Sequence, residues 1–185
     1  MKKYIRSAVL AATVLIFSFT NGCDAFESFP INIPFSIEFE ASGSSNNISD
    51  TGSGCLDTNS ETYIEYKDKI QSLTFVEAAY RTISINGGNQ NVTGDITVTV
   101  RIPGGSTLFS YTIPNVRPAD YLTSAFVLQL DETEIDAIRN YLQLFESLPS
   151  MCFEATYSLS NLSGGTPPYT IKGAVDFVLE AETEL

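Results

Sequence analysis

Ile31-Asn32-Ile33-Pro34-Phe35-Ser36-Ile37-Glu38-Phe39-Glu40-Ala41 alternates apolar and polar residues at every step. A period of two over eleven residues is the pattern of a half-buried β-strand, with one face against a core and the other against water. The same period returns repeatedly further along. Ile96, Val98, Val100 and Ile102 alternate cleanly, Pro103-Gly104-Gly105-Ser106 supplies a turn, and Leu108 to Ile113 returns, which predicts a β-hairpin. Met151, Phe153, Ala155, Tyr157 and Leu159 alternate, Asn161 to Pro168 reads as a turn, and Ile171, Val175, Phe177 and Leu179 carry the pattern to the end.

Between these runs the signal is less regular. Ile70 to Ile85 is rich in Thr, Tyr, Val and Ile, but its alternation slips near Glu77-Ala78-Ala79. That predicts either two strands or one long strand with a bulge, followed by a turn at Asn86-Gly87-Gly88-Asn89. A further strand fits Ala125 to Leu130. Gly43 to Ser60 is full of Gly, Ser, Asn, Asp and Thr and reads as a long polar loop. One segment changes period: Ile135, Ile138, Leu142 and Phe145 sit at helical spacing, with Tyr141 alongside. Asp131 stands as N-cap, Glu134 three residues on makes a capping box, and Pro149 stops the run, so a helix is expected over 131–146. The expected fold is mainly β: an antiparallel β-sandwich or partly closed barrel of about seven or eight strands with that one helix.

Composition narrows the chemistry. The 185 residues carry 22 Asp+Glu against 10 Lys+Arg, with no His, no Trp and three Cys. Without His there is no Ser-His-Asp or Cys-His catalysis, no His-ligated zinc and no imidazole acid/base chemistry. The net charge of −12 argues against nucleic acid, whose phosphates require a basic face.

The N-terminus reads as a targeting signal. Lys2, Lys3 and Arg6 precede an apolar run from Ala8 to Phe19. Twelve residues at a helical rise reach roughly 18 Å, too short for a hydrocarbon core of about 30 Å, so the segment fits a secretory signal peptide over 1–22. Thr20-Asn21-Gly22-Cys23 closes it and resembles the lipobox of bacterial lipoproteins, with Gly22 and Cys23 carrying the match. The resemblance covers residues 1–23 alone. It implies cleavage before Cys23 and lipidation of that cysteine. The residues themselves predict a short tether over 23–30, and the chain length predicts a single domain over 31–185. The resemblance also implies a cell-envelope location outside the cytoplasm. All 22 acids follow Cys23 while three of the ten bases precede it, so residues 23–185 carry −15. A lipidated Cys23 leaves Cys55 and Cys152 as a possible disulfide pair in a compartment that permits one, with two free thiols as the alternative.

Several residue groups suggest sites. Asp50-Thr51-Gly52-Ser53 matches the short aspartic-protease signature, but no second copy supplies the partner carboxylate that chemistry needs, and a solvated turn is the expected reading. Asn47, Asp50, Asp57, Asn59 and Glu61 concentrate oxygen ligands of the kind calcium takes, without the spacing of the common calcium loop. Asn47-Ile48-Ser49, Asn91-Val92-Thr93 and Asn161-Leu162-Ser163 match the glycosylation sequon and read as loop residues. Glu38 and Glu40 on one strand and Glu180, Glu182 and Glu184 on another would form a carboxylate pair of glycosidase type if their strands brought them together. Nine Tyr and twelve Phe at strand period read as core and face packing.

The resulting expectation is a membrane-anchored, non-catalytic envelope lipoprotein, acting as a binding or structural module toward an envelope protein or glycan. A carboxylate-based hydrolase of the envelope is the alternative. No cofactor and no metal are expected.

Overall fold

A computed structural model describes residues 28–184. The strand announced by residues 31–41 is β1 (Ser28–Gly43), beginning three residues earlier than its alternation. Ile33, Phe35, Ile37, Phe39 and Ala41 are buried on one face, while Asn32, Pro34, Glu38 and Glu40 stay exposed on the other. The chain continues through β2 (Ile48–Cys55), the one-turn helix α1 (Leu56–Asn59), α2 (Glu61–Tyr66) and a 3-10 turn, Lys67–Lys69. Then follow β3 (Ile70–Ile85), β4 (Thr93–Arg101), β5 (Thr107–Val116) and a 3-10 turn at Pro118–Tyr121. The last elements are β6 (Phe126–Val127), α3 (Glu132–Leu142), β7 (Cys152–Ser163) and β8 (Tyr169–Glu184).

Two four-stranded antiparallel sheets result, ordered β1-β8-β3-β6 and β2-β7-β4-β5. They face each other as a sandwich rather than closing into a barrel. Aromatic rings fill the space between: Phe35 stacks on Phe177 with centroids 4.7 Å apart, Phe153 lies 5.1 Å from Phe35, and Phe39 stacks on Tyr157 at 4.2 Å. Gly173 makes room for this layer, since a Cβ there would meet Phe39 at 2.8 Å and Tyr80 at 3.1 Å. Pro34 is tolerated because β1 is an edge strand, where a missing N–H costs no ladder bond.

The segment from Gly43 to Ser60 departs from the expected loop. Its residues 48–55 form β2, an edge strand of the second sheet, paired with β7 from Ile48↔Leu159 to Cys55↔Cys152. The inward positions are Ile48, Asp50, Gly52 and Gly54, so hydrophobic alternation is nearly absent. Small residues are required there because β2 abuts the free edge of β1. A Cβ on Gly52 would lie 2.2 Å from the Glu38 carbonyl oxygen, and one on Gly54 would lie 3.2 Å from Ile37.

Ile70 to Ile85 is one strand whose register against β8 shifts at Ile70/Ser72, Phe75/Glu77 and Thr82/Ser84, and the middle shift is the slip visible in the sequence. The expected strand over 125–130 shrinks to Phe126–Val127. Leu128 N–H still reaches the Ala78 carbonyl, but Leu130 N–H folds back onto Leu128 and turns the chain into the helix. The α3 helix starts as expected, with Asp131 and Glu134 forming a reciprocal capping box. Its regular turns stop at Leu142. Residues 143–148 continue as tight turns, with Phe145 N–H on the Leu142 carbonyl and Leu148 N–H on the Leu144 carbonyl.

The helix closes one side of the sandwich. It packs on β3 of one sheet and β5 of the other, burying Ile138, Tyr141 and Leu142. Glu134 also accepts a hydrogen bond from Ser110 N–H, covering part of the free β5 edge. The opposite side is closed by β1 against β2, where Asp50 Oδ2 accepts from Glu40 N–H at 2.7 Å.

Candidate functional site

The cysteines meet where β2 ends and β7 begins. Cys55 and Cys152 are cross-strand partners with Cα atoms 4.0 Å apart, and they form a disulfide. Tyr141 of α3 holds the same place from the other side. Its hydroxyl donates to the Cys152 carbonyl at 2.7 Å and accepts from Cys152 N–H at 3.2 Å. Burial raises the Tyr141 pKa, and its bond to the Cys152 carbonyl partly offsets that shift. The bridge therefore ties two strands together and is reinforced by the closing helix; it does not pin a mobile loop. Cys23, the expected lipidation position, lies outside the described residues.

The suspected carboxylate pair does not assemble. Strands β1 and β8 are neighbours, but their antiparallel register sets Glu40 opposite Lys172 and Glu38 opposite Ala174. Glu180, Glu182 and Glu184 stand opposite Asn32, Pro30 and Ser28. Six residues of strand separate Glu38 from the level of Glu180, about 20 Å, whereas paired glycosidase carboxylates stand about 5–9.5 Å apart. Near the middle of the face the charges are paired instead: Lys172 Nζ contacts Glu38 at 2.6 Å, and Arg81 Nε contacts Asp176 at 2.6 Å. Ser36 also donates to Asp176.

The oxygen-rich group around residues 47–61 is dispersed over local structural roles. Asn47 Oδ1 accepts from Asn161 N–H, Asp50 from Glu40 N–H, and Asn59 Oδ1 from both Cys55 N–H and the Thr58 hydroxyl. Asp57 accepts from Ser150. Among the described residues no three His, Cys, Asp or Glu side chains converge as a metal site. The Asp50-Thr51-Gly52 match lies in β2, not in a turn, with Asp50 bonded to the β1 backbone. Of the three sequons, Asn91 is in a turn before β4, Asn47 immediately precedes β2, and Asn161 lies within β7 at a positive φ of 57°.

Two features escaped the sequence reading. The first is an uncharged hydroxyl array across the outer face of the second sheet. Thr51, Thr156, Thr99 and Ser110 form one rung across its four strands, and Ser49, Ser158, Thr97 and Thr112 the next. Within them Thr97 and Thr112 hydroxyls approach to 2.9 Å, Thr99 and Ser110 to 2.8 Å, and Thr51 and Thr156 to 3.3 Å. The signal was present as Thr97-Val98-Thr99, Ser110-Tyr111-Thr112 and Thr156-Tyr157-Ser158, each spanning one inward residue, with Val98 and Tyr157 buried and Tyr111 partly so. Charge bounds the array: Arg101 and Glu154 pair at one end, and Asp95 stands at the other. Asp95 has its pKa lowered by hydrogen bonds from Asn115 N–H and then from the Asn161 amide.

The second is a polar knot inside the core. Tyr80 of β3 and Tyr157 of β7 join hydroxyls at 2.9 Å across the two sheets, and Thr82 completes the set at 2.9 Å from Tyr80. Burial pushes the Tyr80 pKa up to about 12 and raises that of Tyr157 as well, with the neighbouring Tyr80 adding to the latter. These phenols are paired within the core and stay neutral, a structural use rather than an acid/base one.

Shallow grooves flank α3. One, of about 280 Å³, lies between the helix and the β4–β5 turn, against Ile102, Leu108, Ala137 and Leu144. The other, of about 250 Å³, lies between Ile135 and the β3–β6 corner, against Phe75, Val76 and Val127. Neither gathers a nucleophile with a base or a pair of carboxylates. Among the described residues no helix is long and apolar enough to cross a membrane.

The class the geometry defines is an eight-stranded antiparallel β-sandwich with a helix-closed side and a cross-strand disulfide. No family model and no curated protein matches the chain. Among solved structures, one from Desmodium yellow mottle tymovirus is similar over 85% of this chain and 89% of its own, at 11% identity and a TM-score of 0.39. One from tobacco necrosis virus is similar over 85% of this chain and 97% of its own, at 13% identity and a TM-score of 0.37. These scores are too low for either likeness to bear on function.

Proposed function

We propose that the protein is a membrane-anchored, non-catalytic lipoprotein of the bacterial cell envelope, serving there as a binding or structural module. The observation that carries this reading is the fate of the cysteines. Cys55 and Cys152 are joined, which leaves Cys23 as the single remaining thiol of the chain, immediately after a basic and then apolar segment ending in Gly22. A disulfide between strands belongs to an oxidising compartment, consistent with export.

The non-catalytic part of the reading draws on the site geometry. Register separates the acids of β1 from those near the end of β8, Glu38 and Asp176 are paired with cations, and three pairs of hydroxyls of the second sheet bond to one another. A rigid two-sheet scaffold with an uncharged hydroxyl face suits recognition of an envelope protein or glycan. Intact-mass analysis of membrane-extracted protein tests the anchor. It should find a chain starting at Cys23 and bearing acyl groups, and Cys23→Ser should release the protein or leave the precursor uncleaved. A mature chain that starts elsewhere without acyl mass would refute the proposal.

A further inference from the structure

The end of the sandwich where β1 begins gathers aromatic, apolar and basic side chains. Thr183 of β8 is flanked by Phe29 on one side and Ile70 on the other, so the start of β1 and the start of β3 share this end. Tyr66 at the end of α2 sets its ring edge-on to Phe29, with centroids 6.4 Å apart. Two residues before it, Ile64 is 47% exposed on the outer side of the same short helix. Directly after it come Lys67, Asp68 and Lys69, all exposed. Five cations among the described residues, Arg81, Arg101, Arg117, Arg139 and Lys172, are within 4.0 Å of a carboxylate. Lys67 and Lys69 have no such partner among the described residues, and both stand at this one end.

The chain length bounds where that end can go. Four residues separate Cys23 from Ser28. Whatever their conformation, they hold Ser28 within about 18 Å of Cys23. The opposite end, with the turns at residues 86–89 and 164–168, lies the length of the 16-residue β1 away, about 50 Å. An anchor at Cys23 therefore puts Phe29, Ile64, Tyr66, Lys67 and Lys69 within reach of the bilayer, and with the long axis upright it keeps the far turns from it. Aromatic rings and an exposed Ile suit the boundary between headgroups and acyl chains. Lysines there lay their stems along apolar surface and reach phosphate with their ammonium groups.

We infer that this end is seated in the headgroup layer of a phospholipid membrane, Ile64, Phe29 and Tyr66 at the interface and Lys67 and Lys69 on lipid phosphates. The inference rests on the anchor proposed above. The lipid class follows from the neighbouring acids. Glu61, Glu65, Asp68 and Glu184 share this end, so a strongly anionic surface repels it, while zwitterionic phospholipid offers phosphates without a net negative field.

The chain has no Trp, so a single introduced Trp reports cleanly. Ile64→Trp is placed on the proposed contact, and Gly87→Trp, where an added side chain meets open space, on the far turn. Each lipidated full-length mature variant is reconstituted into zwitterionic vesicles whose lipids are brominated near the headgroup, after thermal denaturation has shown that its fold is kept. Trp at position 64 should lose its emission to the bromines while Trp at 87 keeps it. Adding Lys67→Glu and Lys69→Glu to Ile64→Trp should restore emission. Unquenched Trp at 64 on a chain whose intact mass includes its acyl groups, or equal quenching at 64 and 87, would overturn the orientation. No recovery in the charge-reversed variant would overturn the part assigned to the lysines. A chain without acyl mass would overturn the anchor, and the orientation with it.

Discussion

At Gly52 a hydrogen is all that the fold accommodates, because a Cβ would stand 2.2 Å from the Glu38 carbonyl oxygen at the β1–β2 seam. Gly52→Ala must push the two edge strands apart. It should cost about 1–3 kcal/mol, read as a lower denaturation midpoint, and an unchanged midpoint would contradict the packing described. Tyr80 and Tyr157 make the other prediction at this scale. Their phenols have raised pKa values in the folded state because they are buried, with Tyr80 at about 12 against an ordinary 10.0. Below pH 10 both are neutral whether the chain is folded or not, so stability is undiminished. As pH rises from 10 toward 12 the unfolded chain ionises first and stability falls. Denaturation followed against tyrosinate absorbance should show that loss in that window. Ordinary titration of every tyrosine near 10 with the fold intact would contradict the paired burial.

Among the elements, those with strong periodicity were legible and those built from small polar residues were not. The alternation of residues 31–41, the hairpin at 96–113 and the capping box of Asp131 and Glu134 each state their structure locally. β2 does not, because its inward face offers Ile48 and then Asp50, Gly52 and Gly54. Its place is set by pairing with β7 and by the approach of β1, both long-range. The hydroxyl array was hidden for a similar reason: Thr and Ser on the polar face of a strand say nothing of their cross-strand neighbours until the register aligns them across four strands. α3 owes its place to tertiary packing, since its apolar stripe spans the gap between β3 and β5. Ile138 is 1% exposed, and Ile138→Ala should cost ~2–5 kcal/mol in equilibrium denaturation. A loss well below that would mean the helix does not seal this side.

On the scale of the whole molecule, the sandwich is closed on one side by β1 against β2 and on the other by α3, and the disulfide ties β2 to β7 beside the helix. That bridge spans 97 residues of sequence. In the chain-entropy account, replacing both cysteines by Ala should cost up to about 4–5 kcal/mol, read as a fall in denaturation midpoint. The pairing was approached in the sequence by counting: one cysteine at the end of an expected export signal leaves two. Its location was not legible, because residues 48–55 did not announce a strand. The measurement that most directly tests the whole account is intact-mass analysis of the membrane-extracted protein after thiol alkylation, before and after reduction. The account predicts an acylated chain beginning at Cys23, unalkylated until reduction exposes two thiols. An unacylated chain with a different start, or a thiol that alkylates without reduction, would contradict it.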